Sequence, residues 1–275
     1  MKTIIVPTDF SPTATNAMHY AIQMAKQISA HLLLVHVYQV PVSYTDAPIV
    51  LVSVEELRKS AEARMHNLKV EVEHLVHKEQ KVFTETILGS VVDELENLCK
   101  KIKPFVVVMG TKGATGLERV LFGSNTLQAI RHLSWPVICV PPGKKYGTGI
   151  KKIGFACDYE KVVRSTPAPL IKSLVKTFGA ELHVLNINPD GKKRSEEMPE
   201  QSILLQTLLG DLKPEFHFIQ YNDVEDGIND FAIRNELDLV ITIPKKHSLV
   251  ERIFRETSSK QLIQHSNVPI ACIHE

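Results

Sequence analysis

Five short apolar runs take turns with longer segments of helical spacing through the first 142 residues. The runs are Lys2–Pro7, His31–Tyr38, Lys81–Leu88, Pro104–Gly110 and Trp135–Pro142. Runs this short and continuous suit strands buried on both faces, the environment of a parallel sheet. Parallel neighbours need crossovers, and crossovers within one sheet are right-handed. The order β-α-β-α-β-α-β-α-β therefore demands a mainly parallel, doubly wound α/β sheet with helices on both faces. The first helix, from about Pro12 to Ser29, shows the pattern well. Ala14, Ala17, Met18, Ala21, Ile22, Ala25 and Ile28 form one stripe, with Ser11 at the N-cap position and Pro12 as first helical residue.

Open sheets of this kind bind ligands outside the carboxyl ends of their strands. The loops after strands one, two and four line that edge, so Asp9, Val37 and Gly110 can meet although they are far apart in sequence. Asp9 either braces its own turn or faces a ligand, and its position alone does not separate the two. His36 reads as a local hydrogen-bonding group. Residues 39–52 form a long loop over the same edge, of the kind that often carries function.

The stretch after the fourth strand, MGTKGATGLERVLFGSNT (Met109–Thr126), is the most informative. Gly110, Gly113 and Gly123 can take positive φ and admit a ligand to the backbone. Ser124 adds a hydroxyl, Asn125 an amide, and the helix that follows points unpaired N–H groups into the same space. An anion such as phosphate would fit there. In the blander alternative the glycines punctuate a loop and Ser124 caps the helix. The stretch is neither GxxxxGK[ST] nor GxGxxG, which excludes the two better-known nucleotide loops.

With the spacing G-x2-G-x9-G-S, the sequence resembles the universal stress protein family. In that family's ATP-binding branch, G-x2-G-x9-G-[ST] after the fourth strand is the phosphate-binding pattern. The resemblance implies an adenine nucleotide alpha hydrolase-like, Rossmann-like fold. It implies one ATP or related adenine nucleotide held by Pro7, Thr8, Asp9, Val37, Met109, Gly110, Gly113, Gly123, Ser124, Asn125 and Thr126. Of these, Asp9 would contact the ribose or adenine end and backbone groups around Val37 the adenine edge. Mg²⁺ or Mn²⁺ could arrive with the triphosphate. Lys112 and Arg119 read as solvated loop residues ahead of phosphate ligands. Phosphoryl transfer needs a positioned nucleophile, and the loop offers no evident base. We therefore expect a sensor or regulator in stress response, without catalytic residues. The alternatives are a slow ATPase, with Thr8 or Ser124 helping to hold the metal, and a nucleotide-free interaction scaffold.

After the linker GKKYGTG (residues 143–149), the pattern restarts. IKKIGFACDY aligns with MKTIIVPTDF, placing Asp158 over Asp9, and AELHVLNI aligns with AHLLLVHV. Further on, Pro244 falls over Gly110 and VPIACIHE over WPVICVPP. The offset drops from 149 residues at Asp158 to 133 at Pro269, so about sixteen residues are missing between the second and fourth strands. A shorter second helix and lid loop are expected. The glycines are gone: Pro244, His247 and Thr257 or nearby residues stand where Gly110, Gly113 and Gly123 stood. Lys245, Lys246 and His247 read as a solvated basic turn. The expectation is two tandem doubly wound, mainly parallel five-stranded sheets: residues 1–142 with an intact nucleotide loop, and 150–275 as a degenerate copy. Their fifth strands, VICV and IACI, would be bare apolar edges alone. They are expected to pair within one chain as a pseudo-dimer; a homodimer of whole chains is compatible with this, with no surface specified.

Composition narrows the rest. With 32 basic and 31 acidic residues, the formal charge of +1 provides no global field for nucleic acid or an anionic membrane. Four single cysteines, without a CxxC pair, and histidines that do not form HExxH suggest no metal ligands and a reducing compartment. The absence of a leader pattern or a membrane-length apolar run points to a cytoplasmic protein.

Overall fold

Strand and helix succeed each other as the apolar pattern predicts. The computed structural model describes residues 1–40, 53–111, 123–159, 162–189, 198–244, 266 and 268–274. The first half runs β1 (Thr3–Pro7), α1 (Pro12–Ile28), β2 (His31–Tyr38), α2 (Val54–Leu75), β3 (Val82–Leu88), α3 (Val91–Ile102), β4 (Val106–Gly110), α4 (Ser124–His132) and β5 (Val137–Val140). The second runs β6 (Lys152–Ala156), α5 (Val162–Ser165), α6 (Ala168–Phe178), β7 (Glu181–Pro189), α7 (Met198–Leu209), β8 (Glu215–Tyr221), α8 (Val224–Arg234), β9 (Leu239–Thr242) and β10 (Ile270–Cys272).

The helix ends follow local chemistry. Ser11 Oγ accepts the Ala14 N–H at 3.2 Å and Pro12 opens α1, as its position predicts. At α2, Ser53 and Glu56 form a reciprocal capping box. β5 is shorter than the apolar run around it because Pro136 and Pro141, which have no N–H to give a ladder, flank it. In the second half α1 has no unbroken counterpart. Pro167 and Pro169 lack the N–H groups that a continuous helix would use, and the segment splits into α5 and α6. The second helix of this half is indeed the shorter one: α7 has 12 residues where α2 has 22.

The ten strands among the described residues join one sheet in the order β3-β2-β1-β4-β5-β10-β9-β6-β7-β8. Within each half every pairing is parallel, and the second half repeats the first half's order from the opposite edge. β5 and β10 meet antiparallel, with Ile270 opposite Cys139, Ala271 opposite Ile138 and Cys272 opposite Val137.

Alternate strand residues feed two apolar layers. Ile4, Val6, Val106 and Val108 face α1 and α2, in a layer that continues through Ile153 and Phe155 to α6 and α7. Ile5, Val107 and Met109 face α3 and α4, in a layer that continues through Val240 to α8. Tyr20 and Met24 of α1 are buried beyond the predicted stripe, because α1 packs on β4 and β5 and also meets α6. None of the four cysteines is in a disulfide, and no helix among the described residues is long and apolar enough to cross a membrane.

Candidate functional site

The chain passes from β1 to β2 on one side of β1, then from β3 to β4 on the other, so the strand order reverses between β1 and β4. A crevice outside the carboxyl ends of those two strands follows from this reversal. The register pairs Ile5 with Val107 and Pro7 with Val35. That places Pro7, Thr8 and Asp9, the residues near Val37, and Met109 and Gly110 along one edge.

At the end of β1 the backbone turns sharply. The Thr8 N–H donates to the Val35 carbonyl at 2.8 Å, which holds the turn to β2. Thr8 is buried; its Oγ1 accepts the Phe10 N–H at 3.0 Å, and its carbonyl accepts from His36 Nδ1 at 2.8 Å. Asp9 is exposed, and its Oδ1 accepts the Ser11 N–H at 3.0 Å. The carboxylate therefore braces the turn while standing at the rim. Phe10 is forced to φ 62°, a left-handed conformation costing a large residue about 1–2 kcal/mol. The Phe10 ring lies 4.6 Å from that of His36, and the Arg64 guanidinium sits 3.9 Å above it. Sequence reading missed Arg64, because the charged α2 reads as a solvated covering helix. The signal would have been a cation facing the strand end that carries Asp9.

Across the crevice, the two ends of the glycine loop are tied together. The Gly123 N–H donates to the Thr111 carbonyl at 2.9 Å, and the buried Thr126 hydroxyl donates to the Gly110 carbonyl at 2.9 Å. α4 thus starts beside the end of β4. Its N-cap is Gly123, with no side-chain cap bond, and Ser124 is already the first helical residue. The capping role considered for Ser124 falls to Gly123. Ser124 and Asn125 are exposed at the helix start, where the N–H groups and positive dipole end favour an anion.

Gly110 and Gly123 act differently from the expectation of positive φ. Gly123 has φ −64° and Gly110 is a strand residue outside the left-handed region. A Cβ at Gly110 would fall 2.8 Å from both the Thr13 carbonyl oxygen and its methyl, so this glycine is needed for α1 to approach β4. Met109 turns its side chain into the core, leaving its backbone for any ligand. Gly113, Lys112, Arg119 and loop residues 41–52 lie outside the described residues, as do Lys245, Lys246, His247 and Thr257. A depression of about 460 Å³ lined by Lys2, Ile102, Lys103 and Phe105 lies at the opposite, amino end of the sheet.

The second half repeats the turn. Tyr159 has φ 57° where Phe10 has 62°, the Cys157 N–H donates to the Leu185 carbonyl at 2.9 Å, and Asn186 Nδ2 donates to the Cys157 carbonyl at 2.9 Å. Cys157 stands for Thr8 and Asn186 for His36. The register corrects the expected alignment by one residue: the Val240 N–H donates to the Pro269 carbonyl as the Val107 N–H does to that of Pro136, so Ile243 stands for Gly110 and Pro244 for Thr111.

The sequence model of the universal stress protein family matches residues 1–141. Universal stress protein MJ0531 of Methanocaldococcus jannaschii is 32% identical over 148 residues, which are 52% of this chain and 84% of that protein. Universal stress protein MJ0577 of the same organism is 26% identical over 155 residues, 50% of this chain and 94% of that protein. A solved universal stress protein from Archaeoglobus fulgidus has a TM-score of 0.73 at 18% identity, covering 100% of this chain and 96% of that one, a likeness of fold.

Proposed function

Because this chain belongs to the universal stress protein family, we propose that its first half binds one adenine nucleotide, ATP foremost, and that the chain acts as a sensor or regulator in stress response. The phosphates lie on amide groups of the loop from Gly110 to Thr126, with Gly113, Gly123, Ser124 and Asn125 contributing. The adenosine end lies along Pro7, Thr8, Asp9 and the backbone of Val37 and Met109. Mg²⁺ or Mn²⁺ would arrive with the triphosphate and offset its negative charge. Residues 1–142 and 150–275, joined by the linker 143–149, act as two domains of an intramolecular pseudo-dimer built on the fifth strands.

One observation carries this reading. The Gly123–Thr111 and Thr126–Gly110 bonds, each 2.9 Å, hold an uncapped helix start against the crevice at the strand-order reversal, opposite the exposed Asp9. Donors fixed before binding lose little freedom when an anion arrives. The second half keeps the turn around Asp158 but has Ile243 at the position of Gly110 and Pro244 after it, so it does not hold ATP in the first half's manner.

Small molecules released from freshly purified, denatured protein, analysed by mass spectrometry and absorbance, test the proposal. ATP, ADP, AMP and cyclic AMP are titrated in parallel with and without Mg²⁺. We expect one adenine nucleotide per chain, abolished by Gly113→Asp. No released nucleotide and no binding in any titration would reject the proposal in favour of a scaffold; two per chain would reject the assignment to the first half.

A further inference from the structure

A second side-chain cluster lies far from the nucleotide crevice, where β7 meets the edge strand β8. Both strands carry Glu-x-His: Glu181-Leu182-His183 and Glu215-Phe216-His217. Strand alternation puts Glu and His of each triplet on the same face. The register sets His183 beside Glu215 and Leu185 beside His217. Three ligand atoms converge: His183 Nδ1 is 3.1 Å from His217 Nε2 and 3.5 Å from Glu215 Oε2, and the last two are 3.9 Å apart.

We propose that His183, His217 and Glu215 bind one divalent transition-metal ion of the zinc class, tying the edge strand β8 to β7. The spacing of the three donor atoms suits a single ion, which would replace the proton shared between His183 Nδ1 and His217 Nε2. For a triangle with these three sides, the equidistant point in its plane is about 2.0 Å from every corner, the length of zinc bonds to nitrogen and carboxylate oxygen. Lifting the ion slightly from that plane leaves a fourth, solvent-facing position on the side of the exposed Glu215. Two imidazoles and one carboxylate suit zinc, cobalt or nickel ahead of magnesium or calcium, which prefer all-oxygen sites.

Two further observations point the same way. His183 is buried, and its Nε2 has no hydrogen-bond partner. Glu181 Oε2 lies 3.9 Å from that nitrogen. Coordination through Nδ1 leaves the proton on Nε2, and a small rotation of Glu181 would accept it, the usual outer partner of a metal-bound histidine. The first half also shows that the fold does not need this histidine. The position matching His183 is Leu33, a core residue, and the positions matching Glu215 and His217 are Phe83 and Glu85. Packing alone would favour leucine over a buried imidazole with an unmet nitrogen. The sequence reading assigned no metal ligands because these ligands sit on two strands more than thirty residues apart, outside any short spacing pattern.

Untagged full-length protein, stripped with chelator and free of nucleotide, is titrated with Zn²⁺ against a chromophoric chelator. One tight site per chain is expected. Affinity should fall at least about 100-fold in His217→Gln and in the exposed, near-isosteric Glu215→Gln, with unchanged far-ultraviolet circular dichroism. Glu181→Gln, a positioning change, should weaken binding about tenfold and keep the visible spectrum of a four-coordinate cobalt(II) site. No stoichiometric site, or an affinity unchanged from the unsubstituted protein in folded Glu215→Gln or in the double variant His183→Gln/His217→Gln, would overturn the proposal.

Discussion

Gly110 does its work by lacking a side chain. The Thr13 carbonyl and methyl occupy the space where its Cβ would stand, and the carbonyl belongs to the first turn of α1, which cannot retreat without moving the helix. Gly110→Ala should cost about 1–3 kcal/mol, the usual penalty for overpacking a filled site, read as a lower midpoint in urea unfolding. It should also weaken nucleotide binding, because the end of β4 would shift relative to Asp9. Unchanged stability would mean that α1 yields easily and that the glycine serves something else. The need for small residues here was legible in the sequence; the reason was not. A glycine reads the same whether it admits a ligand, turns the chain or lets a helix approach, and here the third applies.

The loop and α4 depend on one threonine. Thr126 is on the inner side of the helix, buried, and its hydroxyl satisfies the carbonyl that ends β4. Replacing it by valine keeps the shape and strands that carbonyl without a partner, a loss of about 1–3 kcal/mol. Thr126→Val should lower the thermal midpoint and loosen α4, seen as faster amide exchange over residues 124–132. Normal exchange there would show that the Gly123–Thr111 bond suffices. The extents of the first-half elements followed from apolar period, caps and prolines. The break between α5 and α6 lay in Pro167 and Pro169, readable once the repeat is aligned on Asp158.

Where the two halves touch, polar groups are shared as closely as apolar ones. Gln27 of α1 donates through Nε2 to the carbonyls of Ile150 (3.1 Å) and Phe178 (3.2 Å), and its Oε1 accepts the Ile150 N–H (2.9 Å) and the Tyr146 hydroxyl. The Tyr146 ring meets Tyr20 edge-on at 4.8 Å. Burial raises the phenol pKa of Tyr20, with smaller contributions from Tyr146 and Asp238; burial likewise raises Tyr146 and, in the second half, Tyr159. Each is neutral in the fold at a pH where an unfolded tyrosine, with its pKa of about 10, has begun to ionise. Their contribution to stability is complete below pH 10 or so and fades as pH rises toward the raised folded values. Stability should therefore fall steeply above about pH 10, and near-ultraviolet titration should show these phenols ionising with unfolding. Titration of all six tyrosines at the ordinary pKa with the fold intact would contradict this. Tyr20→Phe should reduce the alkaline loss.

The parallel, doubly wound layout of each half was already contained in the sequence, because short doubly buried runs separated by helices have few ways to pair. So was the repeat, since the two turns around Asp9 and Asp158 share residues and spacing. Three things depended on distances that a linear pattern does not encode. One is the antiparallel register of β5 on β10, which sets Ala271 opposite Ile138; the sequence led only to the expectation that these two edges pair. Another is the use of Gly110, set by where α1 rests. The last is the His183–Glu215–His217 triangle, which exists because parallel register sets residues from separate strands side by side. Local propensity and apolar period are properties of neighbours along the chain; close approach and coordination are properties of neighbours in space.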